Sequence, residues 1–277
     1  MPMASEKLSI NVIVPSAVCA ASDDMRTAYI DALRREVRSA ADDESGAEIV
    51  RVSLIGCTAA TVTLAGWVGL IDDLEASFPG TREARMRIDI SPELLDTKTC
   101  AYASRYRLVI NLLMDGLLAS CHCTDGALDV DNTLARAISL MTREHISNWG
   151  MQLCANRPAG SDVTDAHATQ RARVETIVRK TQPGYVRFAD VDAADADISL
   201  PDSLSRTLDD AGYAPCGGGL YARKPLYAAF FAHEPNVMGF GLGAHTSFCG
   251  ARFTTTDDLD LYLDHAGASA DIYRLDT

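Results

Sequence analysis

Cys121, His122 and Cys123 stand in a row, and thiolate with imidazole is a donor set that suits zinc or iron. Cys19 and Cys57 follow two earlier apolar runs, and Cys154 ends a later one. If those runs are parallel strands of a barrel, their ends gather on one face, where active sites are built. Cys121 and Cys123, with Cys57, are therefore read as a metal site. The opposing reading is buried thiols, because Cys-x-Cys is tighter than the usual ligand spacing and free cysteine is commonly buried. His233 in "FFAHEP" and His245 after "VMGFGLGA" are isolated imidazoles, suited to a metal or to a structural hydrogen bond. The sequence has no G-x-S-x-G elbow, no H-E-x-x-H pair and no Walker loop.

Gly239, Gly241 and Ala244 match the G-x-G-x-x-A spacing of a dinucleotide loop. That loop needs a helix after it and a second strand with an acidic residue roughly 20 residues on. The residues that follow Gly243 are too few to complete such a sheet. The glycines are read instead as points where backbone approaches another strand or a ligand.

Apolar runs alternate with amphipathic stretches through the first two thirds of the chain. "LSINVIVP", "EIVRVSLIG", "ARMRIDIS", "RLVINLLM" and "HISNWGMQLC" have the length and composition of strands. "DDMRTAYIDALRREVRSAADD", "TLAGWVGLIDDLEASF", "PELLDTKTCAYAS", "VDNTLARAISLM" and "DAHATQRARVETIVRK" have helical spacing. Strands separated by helices of this length predict βαβ units and a parallel sheet. Arg143, Glu144 and His145 are expected as the polar flank that opens a strand. Trp67 and Trp149 are expected in the core. After about Pro183 the segments become short, aromatic and Gly-rich, which places a boundary there: 1–182, then 183–277.

The chain of 277 residues is 47% hydrophobic and 23% charged, as in soluble globular proteins. Its formal net charge of −13 repels phosphate backbones, so no nucleic-acid partner is expected. No apolar run is long enough to cross a bilayer, and no membrane partner is expected. The apolar N-terminal stretch is interrupted by Asn11 and Pro15 and reads as a first strand, not a signal peptide. Eight dispersed cysteines in a chain of this length read as reduced thiols, so a cytoplasmic location is expected.

The succession of segments resembles the radical S-adenosylmethionine (SAM) proteins related to oxygen-independent coproporphyrinogen III oxidase and its haem-chaperone relatives. "AGYAPCGGGLYARK", "MGFGLGAHTSF" and "ARFTTTDDLDLYL" resemble that family's final domain. "REHISNWGMQLCANRPAGS" resembles its sixth barrel strand, and "TAYIDALRREV" its first helix. "RIDISPELL" resembles its third strand, with Asp89 and Ser91 where an acidic residue and an Asn are usual. The resemblance implies an α/β fold: an incomplete (β/α) TIM-like barrel of the radical SAM type with a small α+β C-terminal domain. It also implies a [4Fe–4S] cluster and SAM as cofactors.

Two signatures of the family are missing. Where it carries a strand ending H-I-P-F-C and a Cys-x3-Cys-x2-Cys loop, this chain has Ser16, Ala17 and a lone Cys19. Where it carries Gly-Gly-Gly-Thr-Pro, this chain reads Ile55-Gly56-Cys57-Thr58-Ala59. One βα unit is also expected to be missing between Arg107 and Glu144. The expectation is a pseudoenzyme without the cluster motif that binds a tetrapyrrole (haem or porphyrin) or a partner protein. The alternative is a metalloenzyme of tetrapyrrole metabolism with its metal moved to the cysteines above. By the resemblance Gly56, Thr58, Asp89, Gly241, Gly243 and His245 are the cofactor-side residues. Tyr221, Tyr227, Phe240 and Phe248 are expected either to line a slot for a flat ligand or to fill the gap of the missing unit. Arg223 or Arg252 would meet its carboxylates.

Overall fold

A computed structural model of the chain describes residues 6–19, 21–40, 47–56, 62–114, 130–155, 175, 177–190, 202–232 and 235–276. It opens with β1 (Lys7–Ile13), α1 (Ser16–Cys19), α2 (Asp23–Ser39), β2 (Glu48–Ile55), α3 (Leu64–Ser77) and β3 (Arg85–Ile90). A 3-10 turn (Pro92–Leu94), α4 (Thr97–Arg105), β4 (Val109–Met114), α5 (Val130–Arg143), β5 (Trp149–Ala155) and β6 (Tyr185–Asp190) follow. Then come α6 (Asp202–Asp210), β7 (Ala214–Pro215), β8 (Leu220–Ala222) and a 3-10 stretch (Pro225–Phe230). The last elements are β9 (Val237–Phe240), β10 (His245–Phe248), β11 (Ala251–Thr255), α7 (Leu259–His265) and β12 (Tyr273–Leu275). Among the described residues no helix is long and apolar enough to cross a membrane.

The chain divides into two compact units. The first is built from Met1–Asp89, Tyr102–Leu108 and His233–Thr277, and the second from Ile90–Ala101 and Val109–Ala232. The boundary expected near Pro183 divides the sequence, whereas these units divide space and cut across it. Residues after His233 return to the first strand.

Within the first unit the strand order is β12-β11-β10-β9-β1-β2-β3. β9, β1, β2 and β3 are parallel, and β10, β11 and β12 are antiparallel. α2 starts where the Ser22 hydroxyl accepts the Met25 N–H and Asp23 and Asp24 fill the first turn; both features stabilise a helix start. α3 starts the same way, with the Thr63 hydroxyl accepting from Gly66. The two helices bury Tyr29, Ile30, Leu33, Val37, Trp67, Leu70, Ile71 and Leu74. Leu8, Ile10, Val12, Val52, Leu54, Met86 and Ile88, which alternate along β1 to β3, are buried as well.

In the second unit the order is β4-β5-β6-β8-β7. β4, β5 and β6 are parallel, while β8 and β7 run antiparallel to their neighbours. Its core centres on buried Tyr185, whose ring meets Tyr227 at 5.2 Å and Phe231 at 5.0 Å. The Tyr185 hydroxyl donates to Asn111 at 3.0 Å and the Tyr227 hydroxyl to Asn148 at 2.9 Å. Those bonds remove the penalty for burying two phenols.

The parallel runs expected from the β/α alternation are there, but closure is not. Among the described residues β12 and β7 each pair with a single neighbour, so the pairing traced there does not return on itself and the architecture is mixed α/β. Three local expectations also change. Arg143 ends α5, and Glu144 and His145 make a turn with His145 at φ 57°, so they do not open a strand. "PELLDTKTCAYAS" breaks into the 3-10 turn and α4. The Gly-rich run is not one strand, because β9 stops at Phe240 and residues 241–244 turn the chain into β10.

That turn is fastened to α2 by a buried carboxylate. Glu36 is fully buried, and its Oε2 accepts the Gly241 N–H at 2.8 Å and the Tyr262 hydroxyl at 2.7 Å. Its Oε1 accepts the Tyr273 hydroxyl at 3.2 Å. Tyr29, two turns earlier, donates its hydroxyl to the Ile13 carbonyl at 2.8 Å and accepts the Leu242 N–H at 2.9 Å. Arg35 donates to the carbonyls of Leu263 and Ala266 at the end of α7. Gly241 has φ 105°, and a Cβ there would collide with the Ile13 carbonyl oxygen and lie 2.8 Å from the Tyr29 hydroxyl. Gly243 (φ 69°) has nothing within 4 Å of the same position.

This contrast is testable by urea unfolding. Gly243→Ala should cost only left-handed backbone strain, about 1 kcal/mol. Gly241→Ala should cost about 3 kcal/mol or more, because the Ile13 carbonyl and the Tyr29 bonds must also move. Equal losses for the two variants would show that close packing does not require Gly241.

Candidate functional site

The strands of the first unit alternate in a way that parallel strands covered on both faces do not. "LSINVI", "RVSLI" and "RMRIDI" place every second residue on one face. The register aligns Ser9 with Arg51 and Asn11 with Ser53, then Arg51 with Arg85, Ser53 with Arg87 and Ile55 with Asp89. On the other side Asn11 aligns with Gly239 and Val237 with Ser247. Ser247 aligns with Arg252, His245 with Thr254 and Thr254 with Arg274. Directly paired residues share a face of a sheet. One face therefore carries Arg51, Arg85, Arg87, Arg252, Arg274 and His245, with Asp89 and Asn11 among them. The opposite face carries the aliphatic core.

Arg87 and Asp89, two residues apart on β3, form a two-pronged ion pair: Nε to Oδ1 at 2.7 Å and Nη2 to Oδ2 at 2.9 Å. Both are buried, as is Arg51. The Asp89 carboxylate is thus engaged by its own strand, and its carbonyl accepts the Gly56 N–H at 3.1 Å. Gly56, just past β2, has φ 72°, and any Cβ would collide with the Val14 carbonyl oxygen. The glycine is needed for the approach of β2 to β1 at their C-terminal ends. Gly241 makes the matching approach from β9, against the Ile13 carbonyl. So Gly56, Asp89 and Gly241 flank the C-terminal end of β1, where open α/β sheets build their sites.

His245 stands at the start of β10, exposed, with Nδ1 2.8 Å from the Thr254 hydroxyl. Thr254 has one hydroxyl hydrogen, and both Asp276 oxygens lie within reach of it, at 3.0 and 3.1 Å. With that hydrogen given to Asp276, Thr254 accepts from His245 Nδ1–H. The ring then presents a bare Nε2. A carboxylate-backed hydrogen bond of this kind, with one ring nitrogen held and the other presented, is how proteins orient ligating histidines.

Gly243 is a half-exposed turn residue whose N–H donates to Thr256. Cys57, Thr58, Cys121, His122, Cys123 and His233 lie outside the described residues. Cys19 falls on α1 and Cys154 on β5. Among the described residues no three His, Cys, Asp or Glu side chains gather as a metal would need. Phe240 is buried against Phe78 at 5.7 Å, and Tyr227 sits in the second unit against Tyr185. Tyr221 meets Phe188 edge-on. Phe240 and Tyr227 are thus core packing, and Tyr221 packs beside Phe188, each within its own unit. Arg223 is exposed in the second unit, bonded to Gln182 at 3.0 Å.

Sequence reasoning missed Arg51, Arg85, Arg87 and Arg274. Their signal was the period-two alternation of β1 to β3, which a continuous apolar parallel strand would lack.

No protein-family model matches the chain, and no curated protein matches it. Among solved structures it is similar to coproporphyrinogen III oxidase (HemN) from Escherichia coli, described as a radical SAM enzyme. The identity is 14%, over 98% of this chain and 71% of that one, with a TM-score of 0.68. A more remote likeness is to anSMEcpe with bound AdoMet, at 13% identity over 70% of this chain and 54% of that one, with a TM-score of 0.44. The chain therefore shares the fold of the HemN structure.

Proposed function

We propose that the chain is a degenerate relative of the coproporphyrinogen III oxidase group of radical SAM proteins, one that has given up the cluster and binds a carboxylate-bearing tetrapyrrole. The observation that carries this reading is the arginine-bearing sheet face of the first unit. In a chain of formal net charge −13, exposed Arg85, Arg252 and Arg274 stand on one face. Guanidinium groups pair carboxylates bidentately. Arg51 and Arg87 share that face but are buried, and Arg87 is paired with Asp89. His245, with Nδ1 tied to Thr254, is the residue that would hold a haem iron through Nε2.

Among the described residues the donors around β1 do not make up a [4Fe–4S] ligand set. The link from Val14 to Ser22 holds one cysteine, Cys19, where three thiolates are needed. These features support a binding protein over a radical enzyme.

Two measurements test this. In a Soret titration, wild type should bind ferric haem, and His245→Ala should weaken it at least about tenfold. Arg252→Ala and Arg274→Ala should each cost about 1–2 kcal/mol, within the range of hydrogen bonds to charged groups. The tetramethyl ester of a four-carboxylate porphyrin should bind more weakly than the free acid. Absent binding, or variants and ester that bind like wild type and acid, would end the tetrapyrrole reading.

The second is anaerobic reconstitution with iron and sulfide. It should give no site-differentiated [4Fe–4S] signal and no 5′-deoxyadenosine from SAM. Both products together would restore the radical enzyme. Stoichiometric metal lost on Cys121→Ser would favour the relocated-metal alternative.

A further inference from the structure

Among the described residues no cation stands beside the buried acid Glu36, and the proposed binding face makes no use of it. Every group that faces it is neutral: Tyr262 from α7, Tyr273 from β12, Tyr29 from its own helix, and only backbone from the turn after β9. The neighbouring Arg35 is turned to the Leu263 and Ala266 carbonyls, and Arg38 to Asp73 at 2.9 Å. A carboxylate in such a place is satisfied by donors but not neutralised.

We infer that Glu36 is a proton-linked latch, whose protonation sets how tightly the β9–β10 turn, α7 and β12 are held to α2. The geometry accommodates both states. Ionised, the carboxylate accepts all three bonds. Protonated on Oε1, it reverses one of them, donating to the Tyr273 oxygen, while Oε2 keeps Gly241 and Tyr262. The Tyr273 contact, at 3.2 Å, is the longest of the three, and its phenol oxygen can accept as well as donate.

Burial raises the Glu36 pKa above the ordinary glutamate value, and the bonds from Tyr262, Gly241 and Tyr273 offset part of that rise. A raised folded pKa means that the folded state holds the proton more tightly than the unfolded chain does. The stabilisation is then complete below the unfolded glutamate pKa and is lost as pH rises through the folded value. The latch is tightest in mild acid. This inference does not depend on what the sheet face binds.

Glu36→Gln copies the protonated state: its carbonyl accepts from Gly241 and Tyr262, and its amide donates to Tyr273. The test measures amide protection factors of Gly241 and Leu242, with urea midpoints, from pH 4 to pH 8. Wild type should lose protection as pH rises, while Glu36→Gln stays flat, and the two should converge at the acid end. Tyr262→Phe keeps the ring and removes a donor to Oε2, so it should move the wild-type transition to higher pH. If Glu36→Gln does not fold, the direction of the Tyr262→Phe shift decides alone. Wild-type protection independent of pH, or a transition that neither variant moves, would overturn the latch.

Discussion

One buried carboxylate holds the beginning of this chain to its end. Glu36 reaches Gly241, Tyr262 and Tyr273, at separations of 205, 226 and 237 residues. Burying an ionisable group is costly unless it is hydrogen-bonded, and this one has a donor from each of three elements. Hydrogen bonds to a charged group are worth about 1.5–3 kcal/mol each. They offset a desolvation cost of the same order, so what the arrangement supplies is definition as much as net stability. The consequence is geometric. β9 lies parallel to β1 only because the chain returns after an excursion through the second unit. Tyr29 and Glu36 pin the returning turn against the end of β1. Without that contact the polar face would stop at Ser9 and Asn11, and Arg252, Arg274 and His245 would not continue it.

The same face carries a cost that stability alone does not explain. Arg51 and Arg87 are buried, and desolvating guanidinium is expensive even when an aspartate sits opposite. Breaking such a pair destabilises, but replacing all of it with well-packed apolar side chains is often neutral or better. An aliphatic pair at 87 and 89 would remove that desolvation cost but leave this face of the sheet without its charges. The charged pair is better explained by what the face must present. Asp89 both fixes the Arg87 fork and, through its backbone, fixes Gly56. One residue thus orders the cationic side chain and the strand end together.

Much of the first unit was legible in the sequence. β1, β2 and β3 fall within the apolar runs read as strands, and the starts of α2 and α3 at Ser22 and Thr63 follow from capping residues. Other features were not, for physical reasons. Glu36 lies in "RREV", where a charged residue on an amphipathic helix reads as solvated. Nothing local reveals that Tyr262 and Tyr273 will enclose it. The division into units depends on β9 returning to β1, a long-range pairing without local signature. Gly241 and Gly243 look alike in sequence, yet one is wedged against a carbonyl and the other is open. Of the residues named for a site, Gly56 and Gly241 crowd the end of β1 from its two sides, and the Asp89 carbonyl holds Gly56. The arginines were passed over although their alternation was plain, because β/α periodicity locates strands without saying which of their faces is polar.

The opposition between the overall charge and the arginine face limits how the face can work. A net charge of −13 repels an anionic ligand at long range, but free charges beyond about 8 Å are largely screened at physiological ionic strength. The surface acids therefore slow approach only modestly and leave short-range contacts intact. Within contact distance the exposed guanidinium groups dominate, and their attraction strengthens where a bound ligand excludes water. A small anion meeting one arginine gains little over its hydration in water. A ligand rigid enough to meet several at once has already lost the entropy that flexible arms would have to give up. Selectivity on such a face favours rigid multivalent acids over the small anions around it. Salt should therefore weaken binding less steeply than the number of arginines alone would suggest, because the buried part of the contact is poorly screened.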